Sequence, residues 1–361
     1  FGAFSLGDKA CFLRKAAIPW NDMAFDLGGA LVMAREWAKT RRPKALLLPH
    51  DNPDPDSLAA AAGLSLLLGR QGIECTIGMA GIIGRAENRA MVRVLSFDLR
   101  PLENLDLASF GIIALLDTQP GTGNNSLPSH RLPDIVIDHH PPRPLSAEVP
   151  WCDIRPEFGA SCTIVWRYLK QAGIELTADL ATAFLYGVKT ETRDLGRECG
   201  PHERHAYLEL SAQADHTKLY SITNPKLSRE HFVAMDHACR RAICWGELLA
   251  VNLGSVPYPD IVAEIAELML AYEKARYCLC LGEYEGQVFL SIRSEDEDSH
   301  AGELIRRVVG SKGAAGGHGM SAGGRLHQTV RSDTELKILY DELVSRLVAE
   351  LAITQPPAPL L

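Results

Sequence analysis

Three short apolar runs in the first half of the chain each end in a turn rich in acidic or histidine residues. Residues 45–49 lead into His50-Asp51-Asn52-Pro53-Asp54-Pro55-Asp56-Ser57, residues 111–116 into Asp117, and residues 134–137 into Asp138-His139-His140. A strand that is apolar without alternation is covered on both faces, as inside a parallel sheet. Helix-like stretches at 57–69, 85–95, 161–172 and 178–189, and a strand-like stretch at 73–79, complete the alternation. The pattern predicts an α/β fold built on a parallel sheet.

Such a sheet gathers the carboxyl ends of its strands along one edge, where ligands bind. His50, Asp54, Asp56, Asp117, Asp138, His139 and His140 are therefore expected in one place. Carboxylates crowded this way repel one another and drift toward protonation unless cations sit among them. Imidazole and carboxylate together suit Mn²⁺ or Mg²⁺ better than a soft metal. The first motif also reads as a helix N-cap, with Asp54 or Asp56 capping. The His-His pair taken alone reads as a turn.

At 361 residues the chain has room for about two domains, and 46% hydrophobic with 23% charged residues is the balance of a folded protein. A net charge of −8 argues against a backbone-binding partner of long duplex nucleic acid. It favours short anionic substrates met by local positive charge. Nine scattered cysteines, from Cys11 to Cys280, form no C-x-x-C pair and point to free thiols in a reducing cytoplasm. No apolar run is long enough for a membrane span. A chain beginning at Phe1 is expected to be part of a longer protein.

The second half opens with irregular sequence at 214–229, including Asn224-Pro225, which reads as a linker. A helix at 260–272, a hairpin of 277–281 with 287–292, a helix from Ser299 to Val309, a glycine-rich loop at 310–324 and a closing helix at 335–351 follow. Gly316, Gly317 and Gly319 would let backbone N–H groups converge on an anion, with His318 and Arg293 adding donors. The same run also reads as a flexible loop. The expected division is a domain at 1–213, a linker at 214–240, a domain at 241–354 and a frayed tail at 355–361.

These motifs resemble those of the DHH phosphoesterase superfamily. Gly316-Gly317-His318 followed by Ala322-Gly323-Gly324, with Arg293-Ser294 upstream, is similar to the signature of the DHH-associated C-terminal domain. The branch it resembles is the RecJ-like proteins that include nanoRNase and pAp phosphatases. The resemblance implies a DHH domain with a smaller α/β domain across a cleft. It implies hydrolysis of short oligonucleotides, linear dinucleotides or 3′,5′-bisphosphonucleosides, by attack of a hydroxide held on two divalent ions. Mn²⁺ is the first choice, with Mg²⁺ or Co²⁺ as alternatives. His50, Asp54, Asp56, Asp117 and His139 would then be metal ligands, with Asp117 bridging. Asp138 would support His139, and His140 would face the substrate phosphate. Arg293, Ser294, Gly316, Gly317 and His318 would bind substrate. The last ligand position carries Glu191 where the family has Asp, so Glu191 and Asp194 both stand as candidates. Pyrophosphate or short-polyphosphate hydrolysis, and a nucleotide-sensing module without turnover, are the other readings. A homodimer is compatible with all of them.

Overall fold

The computed structural model describes residues 27–41 and 43–361; Phe1 and Cys11 lie outside the described residues. The first element among the described residues is α1 (Leu27–Thr40), which buries Leu27, Ala30, Ala34 and Trp37. β1 (Lys44–Pro49), α2 (Pro55–Gly69), β2 (Glu74–Met79), α3 (Ala86–Val94), β3 (Leu99–Pro101), β4 (Ile112–Leu116), β5 (Ile135–Asp138) and β6 (Trp151–Ile154) follow. Three helices come next: α4 (Ser161–Gln171), α5 (Ala178–Glu191) and α6 (Pro201–Gln213).

The six strands form one parallel sheet in the order β3-β2-β1-β4-β5-β6. The winding direction reverses between β1 and β4, which opens a crevice at their carboxyl ends. β1, β4 and β5 are the expected apolar strands, and β4 is fully buried along its length. β3 and β6 escape the sequence pattern because each is short and carries a charged residue, Arg100 and Asp153. α2 is buried on almost every side, from Pro55 to Leu68, because it packs against α4, α5 and β2.

The rest of the chain forms α7 (His216–Thr223), α8 (Arg229–Arg241), β7 (Ile243–Trp245), β8 (Leu248–Ser255), α9 (Ile261–Leu270), β9 (Tyr277–Tyr284), β10 (Gln287–Ser294), α10 (Ala301–Val309), β11 (Gly313–His318), β12 (Ser321–Thr329), α11 (Asp333–Glu350) and β13 (Ala358–Pro359). Their sheet has the order β11-β12-β10-β9-β8-β7-β13, with β8 and β9 parallel. One face carries Leu249, Val251 and Ile265 in its core, the other Ala250, Leu304 and Leu343.

Two compact units result, one of residues up to Ala80 with Asp98–Asp215, the other of Gly81–Phe97 with His216–Leu361. Four expectations need correction. The stretch 214–240 is helical, holding α7 and α8, since Ser228 caps α8 by accepting from His231 N. The glycine run at 310–324 is largely the β11–β12 hairpin. The tail is not frayed, because β13 pairs with β7 and Leu360 N donates to Ala242 O at 3.0 Å. Residues 81–97, expected in the first domain, belong to the second unit. There Arg89 bonds the Gly84 carbonyl and lies 5.4 Å from the Tyr258 ring centroid. Among the described residues no helix is long and apolar enough to cross a membrane.

Candidate metal centre

The turn after β1 satisfies both readings of its sequence at once. Asp54 is the N-cap of α2: its Oδ1 accepts from Ser57 N at 2.9 Å, and its own N–H donates to Ser57 Oγ at 3.1 Å, a capping box. The other oxygen, Oδ2, lies 3.4 Å from His50 Nε2. Burial opposes charge on both groups. Their attraction and hydrogen bond prevail, holding Asp54 below the usual carboxylate range and raising His50 to about 9.

Asp56 is fully buried. Its Oδ2 accepts from Ser161 N at 2.8 Å and its Oδ1 from Cys162 N at 2.7 Å, at the start of α4. A helix N-terminus favours a carboxylate. Burial and the charge of Asp54 outweigh those bonds and push Asp56 up to about 6. Gly187 makes the arrangement possible, since a Cβ there would stand 3.2 Å from Asp56 Cα and 2.9 Å from Cys162 Sγ. α5 can thus approach and deliver Glu191 at its end.

Asp117 is the hub. It follows β4 in the left-handed region at φ 57°, a conformation that costs energy for a residue with a side chain and gathers at functional sites. It is 3% exposed. Oδ2 lies 3.7 Å from His50 Nε2, while Oδ1 lies 3.4 Å from His139 Nε2 and 3.6 Å from His140 Nδ1. Ser161 Oγ donates to Oδ1 at 2.8 Å. Two triads therefore share this carboxylate: His50, Asp54 and Asp117, and Asp117, His139 and His140, each with candidate ligand atoms within 4.8 Å of one another.

The two histidines are held differently from expectation. His139 Nδ1 stands 3.2 Å from Phe158 O; a carbonyl can only accept, so that nitrogen donates, and Nε2 is the one turned toward Asp117. Asp138 supports His140 rather than His139, with Oδ1 2.8 Å from His140 Nδ1. Burial alone would favour neutral forms of both. Their pairing keeps Asp138 depressed and His140 raised. Gln119 locks Asp138 by donating to Oδ2 at 2.6 Å, and its own Oε1 accepts from Arg143 N and Ser146 Oγ.

The two acidic candidates, Glu191 at the end of α5 and Asp194 beyond it, stand in different surroundings. Asp194 is exposed and pairs with Lys189. Glu191 is raised well above its ordinary value by burial and then by the charges of Asp54 and Asp56. Asp117 is likewise raised, by burial and then by Asp56, Asp54, Asp138 and Glu191. The cluster thus carries more carboxylate than it can ionise alone. With imidazole and oxygen donors only, it fits hard or borderline divalent cations.

In the second unit Arg293 is 9% exposed, and its Nε lies 3.1 Å from Glu267 Oε1. Ser294 is fully buried, and its hydroxyl accepts from Asp296 N at 2.9 Å. Gly316 and Gly317 pair with Gly323 and Ala322. His318 ends β11, and its side chain lies outside the described residues.

Nitrogen and oxygen donors converge on one carboxylate where a parallel sheet reverses its winding, in an α/β fold whose two triads have the composition to hold a metal ion. Residues 44–188 match the model of the N-terminal domain of the DHH family. It is 30% identical over 318 residues to the uncharacterized protein MJ1633 of Methanocaldococcus jannaschii, across 86% of this chain and 64% of that protein. The chain thus spans under two thirds of that relative. An exopolyphosphatase-related protein from Bacteroides fragilis shares the fold at a TM-score of 0.69 and 16% identity, over 90% of this chain and 98% of that one.

Proposed function

We propose that the chain is a metal-dependent phosphohydrolase acting on short oligonucleotides, linear dinucleotides or 3′,5′-bisphosphonucleosides such as pAp. The observation that carries this reading is Asp117, whose two oxygens face the imidazoles of two separate triads. His50, Asp54 and Asp117 would hold one divalent ion, Mn²⁺ first, and Asp117 with His139 the other; Asp56 and Glu191 supply the remaining nearby charge. Such ions, when bound, supply Lewis acidity toward phosphate oxygens and lower the pKa of water.

The chain's own groups do the rest. Ser161 and the left-handed backbone at 117 fix the carboxylate of Asp117. Asp138 accepts a hydrogen bond from His140 Nδ1 and favours the protonated imidazole, whose Nε2 then has a proton to offer a phosphate oxygen. Arg293, Ser294 and the hairpin residues Gly316, Gly317 and His318 are assigned to the substrate in the second unit.

Incubation with Mn²⁺ and, separately, pAp, a dinucleotide and pyrophosphate tests the reading, together with metal analysis expected to find about two ions per chain. Product from the nucleotides supports it. Product from pyrophosphate alone moves the assignment to pyrophosphate hydrolysis. Tight nucleotide binding without product makes the chain a sensing module.

A further inference from the structure

The turn at Asp51 and the segment after β4 are fastened to each other. His50 Nδ1 stands 2.9 Å from Asp51 O; the carbonyl can only accept, so this nitrogen donates. Nε2 is then the one turned toward Asp54 and Asp117. The peptide that carries this acceptor is pinned from two residues of a distant segment. Asp51 N donates to Asn124 O at 2.7 Å, and the hydroxyl of Ser126 donates to Asp51 Oδ2 at 2.9 Å. Asn124 and Ser126 are exposed, in a stretch where Gly121 and Gly123 take φ of 82° and 81°. What ties that stretch down is Asn125. Its Nδ2 lies 2.9 Å from Gln119 O, 3.1 Å from Thr118 Oγ1 and 3.2 Å from Thr122 Oγ1. The hydroxyl of Thr118 in turn donates to Asn124 Oδ1 at 2.6 Å. Thr118 and Gln119 are buried and directly follow Asp117. The Gln119 side chain is locked on Asp138, Arg143 and Ser146, so Asn125 is fastened to a fixed point.

We infer that Asn125 is a positioning residue for His50. Its carboxamide holds the segment after β4 in the form that presents Asn124 O and Ser126 Oγ to Asp51, and Asp51 in turn presents its carbonyl to His50 Nδ1. An imidazole that ligates a metal through one nitrogen needs the N–H of the other held, because that bond sets the tautomer and the aim of the ring. His139 takes its acceptor from elsewhere, the carbonyl of Phe158. The loss of Asn125 therefore falls on the triad of His50, Asp54 and Asp117 and spares the imidazole of the other. A strut that served stability alone would not choose between the two histidines. This inference rests on the reading of His50 as a metal ligand given above.

The test is calorimetric titration of the full chain with Mn²⁺, which needs no turnover. Alongside it, the Nδ1–H protons of His50 and His139 are followed by NMR in protein carrying isotope-labelled histidine and loaded with diamagnetic Mg²⁺. Asn125→Ala is expected to weaken the affinity for one ion about tenfold, the scale on which an outer partner of a metal ligand acts. The Nδ1–H of His50 should then exchange with solvent while that of His139 stays protected. Ser126→Ala removes one bond to Asp51 and is expected to weaken the same ion several-fold. Asn125→Ala added to His50→Ala is expected to change Mn²⁺ affinity no further, whereas added to His139→Ala it keeps its effect. An undiminished Asn125→Ala effect in the His50→Ala background would overturn the inference. So would protection of the His50 and His139 protons lost together, or Mn²⁺ affinity unchanged by Asn125→Ala. If Asn125→Ala does not fold, Ser126→Ala decides: affinity equal to that of the parent overturns the inference. A His50→Ala protein that binds Mn²⁺ like the parent overturns the assignment of His50 as a ligand and the inference with it. Selective loss at His50 in a protein that hydrolyses nothing leaves the inference standing and removes the enzymatic reading.

Discussion

At the scale of the residue, Asp117 has the most to lose. Its oxygens face His50, His139 and His140 and accept from Ser161. Asp117→Ala is expected to lower kcat/KM by about two to three orders of magnitude or more, with far-UV circular dichroism unchanged. Activity within tenfold of the parent would take Asp117 out of the site. The protonation pattern gives a second expectation. Asp56 near 6 and His50 near 9 stand above their ordinary values, and Asp117 and Glu191 are raised too. A group raised in the fold stabilises it while protonated, and that contribution is lost as pH rises through the folded value. Asp54 and Asp138 are lowered, so their contribution is lost only on acidification. From about pH 6 to 9 the metal-free protein should therefore lose stability, while metal replaces the departing protons. Mn²⁺ should raise Tm, relative to chelator, more at about pH 8.5 than at about pH 6. Equal increments at the two pH values would rule out proton–metal competition in this cluster. Much of the site is legible in the sequence because its carboxylates and imidazoles directly follow apolar strands. Gln119 and Ser161 are not, because one polar residue acquires its role only from a partner far along the chain, Asp138 for the first and Asp117 for the second.

At the scale of the element, the glycines of the second unit tell a different story from the one their sequence suggests. A Cβ on Gly302 would stand 1.9 Å from Gly317 O and 3.2 Å from Gly317 N, so α10 lies directly on the backbone of β11. The glycines serve close packing of helix on hairpin as well as any contact with an anion. Gly302→Ala must push the two apart, at a cost of about 1–3 kcal/mol by analogy with overpacked cores. Urea unfolding followed by circular dichroism measures it, and a loss below about 0.5 kcal/mol would show that the helix can shift freely. Strands such as β11 and β12 are hidden in the sequence because glycine reads as loop, while here the pairing partners Gly323 and Ala322 are as small as Gly316 and Gly317. By contrast β1, β4 and β5 stand out, since burial on both faces leaves no polar residue to break the run. α7 and α8 were obscured for the opposite reason. Their faces are largely polar, with Ile222 the buried residue of α7 and His231, Ala234 and Ala238 those of α8.

At the scale of the whole molecule, the path of the chain matters more than either sheet. It leaves the first unit after Ala80, returns at Asp98 and leaves again after Asp215. Residues 81–97 therefore supply the second unit with α3, Arg85 and Arg89 while being encoded between two strands of the first unit's sheet. No single cut in the polypeptide can separate the two units. A fragment ending at residue 213 keeps every donor of the metal cluster but displays the face of α3 that buries Ala86, Asn88, Ala90 and Met91, with α7, which it contacts, gone. Such a fragment is expected to aggregate on size-exclusion chromatography. The same fragment with 81–97 replaced by a short glycine-serine bridge should elute as a discrete species that still binds Mn²⁺. A well-behaved unmodified fragment would show that α3 folds back by itself. Anyone dividing this gene for expression has to treat those seventeen residues as a graft rather than a loop.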